Sequence, residues 1–189
     1  HLPLPHAPWQ YLPSGKRYGR GFYDRIPGQN PITRDWSDNI WNVNLAYQRH
    51  LVQTAFVDNI LGRVVQKLET TGLYDETMLV VVADHGSSYR PGENHRHLFG
   101  CNISDIAGIP LLIKYPDQQQ GSTDDRNVNI TDVLPTIFDQ LDIQSHWPMD
   151  GSSLLAKEFP ERDGKHIRGR TGELFLIKEE YSEDSTTLD

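Results

Sequence analysis

Residues 57–86 read VDNILGRVVQKLETTGLYDETMLVVVADHG, and this stretch decides the fold class. Its first half belongs to a longer helical pattern over residues 42–71. Val52, Phe56, Ile60, Val64 and Leu68 form one i+4 row, and Val57, Leu61 and Val65 the next. Two adjacent rows make a broad apolar stripe, the signature of a helix packed on a sheet. Arg49, Gln53, Arg63 and Gln66 keep the other positions polar, and Gly72 is a natural stop. The second half is Met78-Leu-Val-Val-Val-Ala83, a short β-branched run that predicts a strand buried on both faces, as in parallel sheets covered by helices.

Working outward, Ile109-Pro-Leu-Leu-Ile-Lys-Tyr115 predicts a second such strand. Thr131 to Leu141 predicts a short helix with Thr131 as N-cap and Asp132 in the first turn. Helix, strand, loop, strand, helix is an α/β order. We therefore divide the chain into an aromatic, Pro- and Gly-rich loop region at 1–41, an α/β core at 42–156 and a polar tail at 157–189. The tail carries a strand at 173–178 and a fraying end at 179–189. In residues 1–41, rings such as Trp9, Tyr11, Trp36 and Trp41 alternate with breakers. They serve either to glue the loop to the body or to face a substrate.

Composition narrows the function. The 189 residues carry 18 Lys plus Arg against 26 Asp plus Glu, a formal charge of −8. That balance disfavours a broad nucleic-acid or anionic-lipid partnership. No apolar run reaches the roughly 20 residues a membrane-spanning helix needs. Cys101 is the one cysteine, so no intrachain disulfide forms and cysteine-rich zinc modules are excluded.

Asp84-His85-Gly86 follows directly on the first predicted strand. Sites in α/β sheets form beyond the carboxyl ends of strands, and a carboxylate beside an imidazole suits a divalent cation. Taken alone, the pair is equally explained by a capping Asp and a hydrogen-bonded His.

The wider context resembles the sulfatase family of the alkaline phosphatase superfamily. The link Gly72-Leu-Tyr-Asp-Glu-Thr77, Asp84-His85-Gly86, Ile109-Pro-Leu-Leu-Ile-Lys, Thr131-Asp-Val-Leu-Pro-Thr136, Asp150-Gly-Ser-Ser-Leu154 and Pro5-His-Ala-Pro-Trp9 all look like family motifs, in family order. PHAPWQYLPSG is similar to membrane-anchored bacterial members. The resemblance implies a three-layer fold with a mostly parallel sheet covered by helices. It implies Asp84 and His85 as metal ligands, and His6 as the catalytic group beside the scissile ester, stabilising or protonating the leaving alcohol. His95 and His97 stand where phosphoethanolamine transferases carry a histidine for substrate or a second metal; His97 is the preferred substrate contact. Arg90, close behind the Asp-His-Gly turn, is the preferred anion contact over Arg96 and Lys114. The expected cofactor is a divalent ion: calcium, magnesium or manganese, with zinc an option.

Active relatives also carry an early acidic metal-binding cluster and a nucleophile. Neither precedes His6, and Cys101 in Gly100-Cys-Asn-Ile-Ser104 lacks the sulfatase Cys-x-Pro-x-Arg context. The expectation is thus the carboxy-terminal portion of a sulfatase-like domain. Its partner is the missing amino-terminal part, and alone it is inactive. The complete protein is expected outside the cytoplasm, anchored through upstream segments. The alternative is a binding or structural domain that keeps this fold without the chemistry.

Overall fold

The computed structural model describes residues 2–18, 25–98, 101–169 and 172–178. It contains two compact units, His1–Gln120 and Gly121–Asp189. The division falls within the residues 42–156 grouped above as one α/β core. Its physical cause is the stretch 117–126, DQQQGSTDDR, which offers no apolar side chain to bridge two cores.

In the first unit, helix α1 runs from Ile40 to Thr70, with the Asn39 side chain accepting from the Trp41 N–H. Strand β1 spans Leu79–Val82, the short helix α2 spans Ile103–Ala107, and strand β2 spans Leu111–Lys114. The apolar stripe is less buried than its width predicts. The buried positions of α1 are Val43, Ala46 and Gln53, all in its first half, while Val64 is exposed. Val43 and Ala46 pack against Trp9 and Trp36, with Ala7, Ile26 and Tyr89 at the margin. The core is thus built from the aromatic loop region. Trp9 stacks on Trp36 with centroids 6.4 Å apart, and Tyr89 lies 5.7 Å and 5.4 Å from the two. At these rings the gluing role is what the packing supports.

β1 and β2 pair antiparallel, Leu79 opposite Lys114 and Val82 opposite Leu111. This corrects the expectation of a parallel pair for these two runs. A short apolar run fixes strand formation but not direction, and the connection from Val82 to Leu111 is long enough for either pairing. Burial on both faces is corrected as well: β1 is half-buried and Val82 is exposed. The 72–77 link is braced from β2. Lys114 Nζ donates to the carbonyls of Tyr74, Asp75 and Thr77 at 2.5, 2.9 and 3.1 Å and sits 4.6 Å from the Tyr74 ring centroid.

In the second unit, a 3₁₀ turn at Ile130–Asp132 leads into α3, Val133–Gln140, and an antiparallel hairpin joins β3, Gly164–Arg168, to β4, Leu174–Lys178. The cap is Asn129 rather than Thr131, because the Asp132 carboxylate reaches back to the Asn129 N–H at 2.8 Å. β4 matches the strand expected at 173–178. Its partner GKHIR sits in the tail read as polar, its alternation too weak to signal a strand alone. The end at 179–189 lies outside the described residues.

Two of the quoted motifs meet here as one hydrogen-bonded clamp. Asp132 is fully buried and accepts from the Ser152 N–H at 2.8 Å and from Arg162 through Nη1 and Nη2 at 2.6 and 2.8 Å. Thr136 Oγ1 donates to the Asp132 carbonyl and accepts from the Leu154 N–H. Gly151 lies against backbone; a Cβ there would fall 2.1 Å from the Thr131 oxygen. The guanidinium groups of Arg126 and Arg162 both lie over the Phe159 ring, 4.8 and 5.0 Å from its centroid.

Candidate functional site

The end of β1 carries Asp84 and His85 to the surface of the first unit. The backbone turns at Gly86, whose N–H donates to the Ile106 carbonyl at 2.6 Å, laying the turn on α2. The His85 ring is oriented from within: Nδ1 lies 2.6 Å from the Gly86 carbonyl, so it carries the proton and Nε2 is the lone-pair nitrogen. Metal-binding histidines are held in this way. Asp84 is exposed, and its Oδ1 lies 3.8 Å from His85 Nε2 while accepting from the His85 N–H at 3.0 Å. That spacing lets one ion reach both atoms. Among the described residues no group of three or more His, Cys, Asp or Glu could hold an ion. Asp84 and His85 could thus supply only part of a divalent ion's ligand set. Arg96 Nη2 now contacts His85 Nε2.

A second line of groups runs beside this pair. His95 packs edge-on to Trp36, centroids 6.3 Å apart, and its Nδ1 lies 3.2 Å from the Arg34 carbonyl. Burial pushes the His95 pKa down to about 4, with the charges of Arg96, Arg34 and His6 acting the same way against the Arg34 carbonyl. His95 is thus a neutral imidazole at physiological pH. His6 is exposed, with Nδ1 2.6 Å from the Ala7 carbonyl. His97 is exposed, its N–H donating to Asn94 Oδ1. Arg90 Nε donates to Asp105 Oδ2 at 2.9 Å, and Ser88 Oγ shares that oxygen. Cys101 donates to Glu93, and this hydrogen bond, with the glutamate's charge, pushes the thiol pKa up, away from a nucleophile. His85 and Arg96 are thus brought together; Arg90 is turned to α2 and Lys114 to the 72–77 link.

Three positioning residues escaped the sequence reading because they are polar. Gln53 is fully buried on α1; its Oε1 accepts from the Gln10 and Tyr11 N–H groups and its Nε2 donates to the His6 carbonyl. Arg49 donates to the Trp9 carbonyl through Nε and Nη2. Asn94 donates to the Thr33 carbonyl and Asp35 Oδ1, and accepts from the Arg96 and His97 N–H groups. Trp36 Nε1 donates to the Ser88 carbonyl, tying the same two loops.

Gln53→Leu is expected to remove the side-chain partner of the Gln10 and Tyr11 N–H groups and of the His6 carbonyl, costing roughly 2–4 kcal/mol. The amides of Gln10 and Tyr11 should then exchange hydrogen much faster than in the wild type. Unchanged exchange there would show that Gln53 does not hold the His6 loop.

The Sulfatase family profile matches residues 1–143. The chain belongs to the sulfatase family. Within that family it is 34% identical over 102 residues to the multifunctional alkaline phosphatase superfamily protein PehA of Trinickia caryophylli, covering 52% of this chain and 19% of the relative. It is 29% identical over 141 residues to lipoteichoic acid synthase of Staphylococcus saprophyticus, covering 63% and 21%. The solved phosphonate monoester hydrolase SpPMH from Silicibacter pomeroyi superposes with a TM-score of 0.59 at 28% identity, over 66% of this chain and 25% of that one. The fold is thus of the α/β alkaline-phosphatase-like kind, and this sulfatase-family chain spans about a fifth of the length of the curated relatives named here. Among the described residues no helix is long and apolar enough to cross a membrane.

Proposed function

We propose that the complete protein is a metal-dependent hydrolase or transferase acting on sulfate or phosphate esters by a covalent mechanism. The nucleophile and the first acidic ligands come from a part of the domain outside this chain, and this chain alone is inactive. The observation that carries the reading is the Asp84-His85 pair at the end of β1, with the His85 tautomer set by the Gly86 carbonyl.

A divalent ion at Asp84 and His85, calcium, magnesium or manganese in preference to zinc, would supply Lewis acidity toward an ester oxygen. His6 has the role of proton donor to the leaving alcohol. Its Nδ1–H contact with the Ala7 carbonyl leaves Nε2 for the substrate, where the ring donates in its imidazolium form, and Gln53 holds the loop that carries it. His97 and the outer nitrogens of Arg90 are the proposed contacts to the sulfuryl or phosphoryl group. Neutral His95 accompanies them as an acceptor. Its likeness to membrane-anchored bacterial members supports work outside the cytoplasm, with anchoring left to other segments. No nucleic acid enters the proposal, given the charge of −8.

Titration of the complete protein with Mn²⁺ tests the reading. Removing a mere outer-shell partner of a metal ligand already costs about 10–100-fold in affinity. Asp84→Ala should lose at least that much. Equal Mn²⁺ affinity in both proteins would remove the ion from the mechanism and favour a non-catalytic domain of the same fold.

A further inference from the structure

Arg90 is held at both ends of its side chain. The stretch Arg90-Pro-Gly-Glu93 has the proline and glycine of a type II turn in their usual second and third places. The Glu93 N–H donates to the Arg90 carbonyl at 3.2 Å, and Gly92 takes the positive φ, 77°, that the third place requires. Proline also confines the residue before it to extended backbone. The backbone of Arg90 therefore has little freedom. At the far end, Nε donates to Asp105 Oδ2 at 2.9 Å. That bond commits Nε and leaves the Nη1–Nη2 edge of an exposed side chain.

Asp105 lies in the first turn of α2. Its carbonyl backs Gly86, where an added Cβ would meet it at 2.1 Å, and the next carbonyl, of Ile106, accepts from the Gly86 N–H at 2.6 Å. Its Oδ2 accepts from Ser88 Oγ at 3.0 Å as well as from Arg90. Ser88 is fully buried, its N–H on the His95 carbonyl at 3.0 Å and its own carbonyl bound by the Trp36 indole at 2.8 Å. One residue thus touches the Asp84-His85-Gly86 turn with its backbone and the arginine with its side chain. An ion pair this exposed adds little to stability. Its larger effect is to keep the guanidinium in one place.

We infer that Asp105 is a positioning residue: it holds Arg90 by Nε at a set place beside the Asp-His-Gly turn and so presents Nη1 and Nη2 as a fork to two oxygens of a sulfuryl or phosphoryl group. This rests on the reading of Arg90 as the anion contact. A guanidinium fork matches such a pair of oxygens bidentately. Holding the fork in advance removes the ordering cost that a freely rotating arginine meets on binding. Asp105 also has an opposing effect, because its charge repels an anion. Asparagine separates the two effects: it keeps an oxygen for Nε and for Ser88 and carries no charge.

The test is binding of inorganic sulfate to the complete protein, with Mn²⁺ present throughout. Asp105→Asn is compared with Asp105→Ala and Asp105→Leu, each with Arg90 in place and with Arg90→Gln. All three replacements are uncharged, so their differences report the acceptor alone. Two acceptor-free variants, checked for native amide spectra, guard against a folding artefact in one. With Arg90 in place, Asp105→Asn should bind sulfate about three- to tenfold more tightly than Asp105→Ala or Asp105→Leu, the cost of ordering one long side chain. With Arg90→Gln the difference should vanish, as it does for two residues that act as one. Equal binding by the Asp105 variants, or a difference that survives Arg90→Gln, overturns the inference; the anion role of Arg90 then stands if Arg90→Gln alone weakens binding. Sulfate binding unchanged by Arg90→Gln overturns that role and the inference together.

Discussion

Asp132→Ala is expected to destabilise the Gly121–Asp189 unit by about 3–5 kcal/mol, the usual cost of removing one partner of a buried ion pair. The carboxylate is fully buried and bound by four donors, the N–H groups of Asn129 and Ser152 and two nitrogens of Arg162. Its loss leaves Arg162, itself only 17% exposed, without its charge partner and frees the segment after Gly151 from the start of α3. Arg162→Met should cost less, because two backbone donors still satisfy the carboxylate. The effect also has a pH signature. Burial would raise the Asp132 pKa, but Arg162 and the two N–H groups overcome it and hold the carboxyl below its ordinary 3.8. The stabilisation is therefore complete above about pH 4, where the unfolded chain is also ionised, and fades as pH falls through the lower folded value. Urea unfolding followed from pH 7 to pH 2 measures this. A wild-type acid limb no steeper than that of Asp132→Asn would contradict it.

Gly86→Ala is expected to be the most damaging single methyl group in the first unit. A Cβ on residue 86 would lie 2.1 Å from the Asp105 carbonyl oxygen and 3.2 Å from that of Ile106. Both obstacles are backbone, so no side-chain rotation relieves them. The turn must lift from α2, breaking the 2.6 Å bond from the Gly86 N–H to the Ile106 carbonyl. A loss of roughly 3 kcal/mol or more follows, at the upper end for a single overpacking change. Asp84 and His85 remain chemically intact in this variant. A fall in Mn²⁺ affinity would then report their displacement alone. Melting within a degree or two of wild type, with unchanged Mn²⁺ affinity, would show that the turn has slack the packing does not reveal.

What was legible in the sequence followed from periodicity and punctuation. The i+4 rows fixed α1, Gly72 its end, and the valine run β1, within a residue or two. The motif order pointed to the sulfatase family before any geometry was known. The direction of β1 against β2 was not legible, since four apolar residues read the same in either pairing. Nor were Gln53, Asn94 and Arg49. Pattern reading sends polar residues to the surface, whereas Gln53 is buried because it satisfies backbone groups 42 to 47 positions away, and Asn94 a carbonyl 61 and a carboxylate 59 positions away. Only the folded path of the loop brings those groups within reach. Asp132 was legible as a helix-start residue, but its pairing with Arg162, 30 positions on, was not.

Asn94 uses both amide hydrogens and its oxygen across two loops, and Trp36 adds a further bond between them, from its indole to Ser88. Residues 33–36 and 88–97 therefore move as one mechanical unit. Lengthening or re-angling either loop breaks bonds in the other. The stretch that carries His95, Arg96 and His97 takes its position from a segment some sixty positions earlier in the chain.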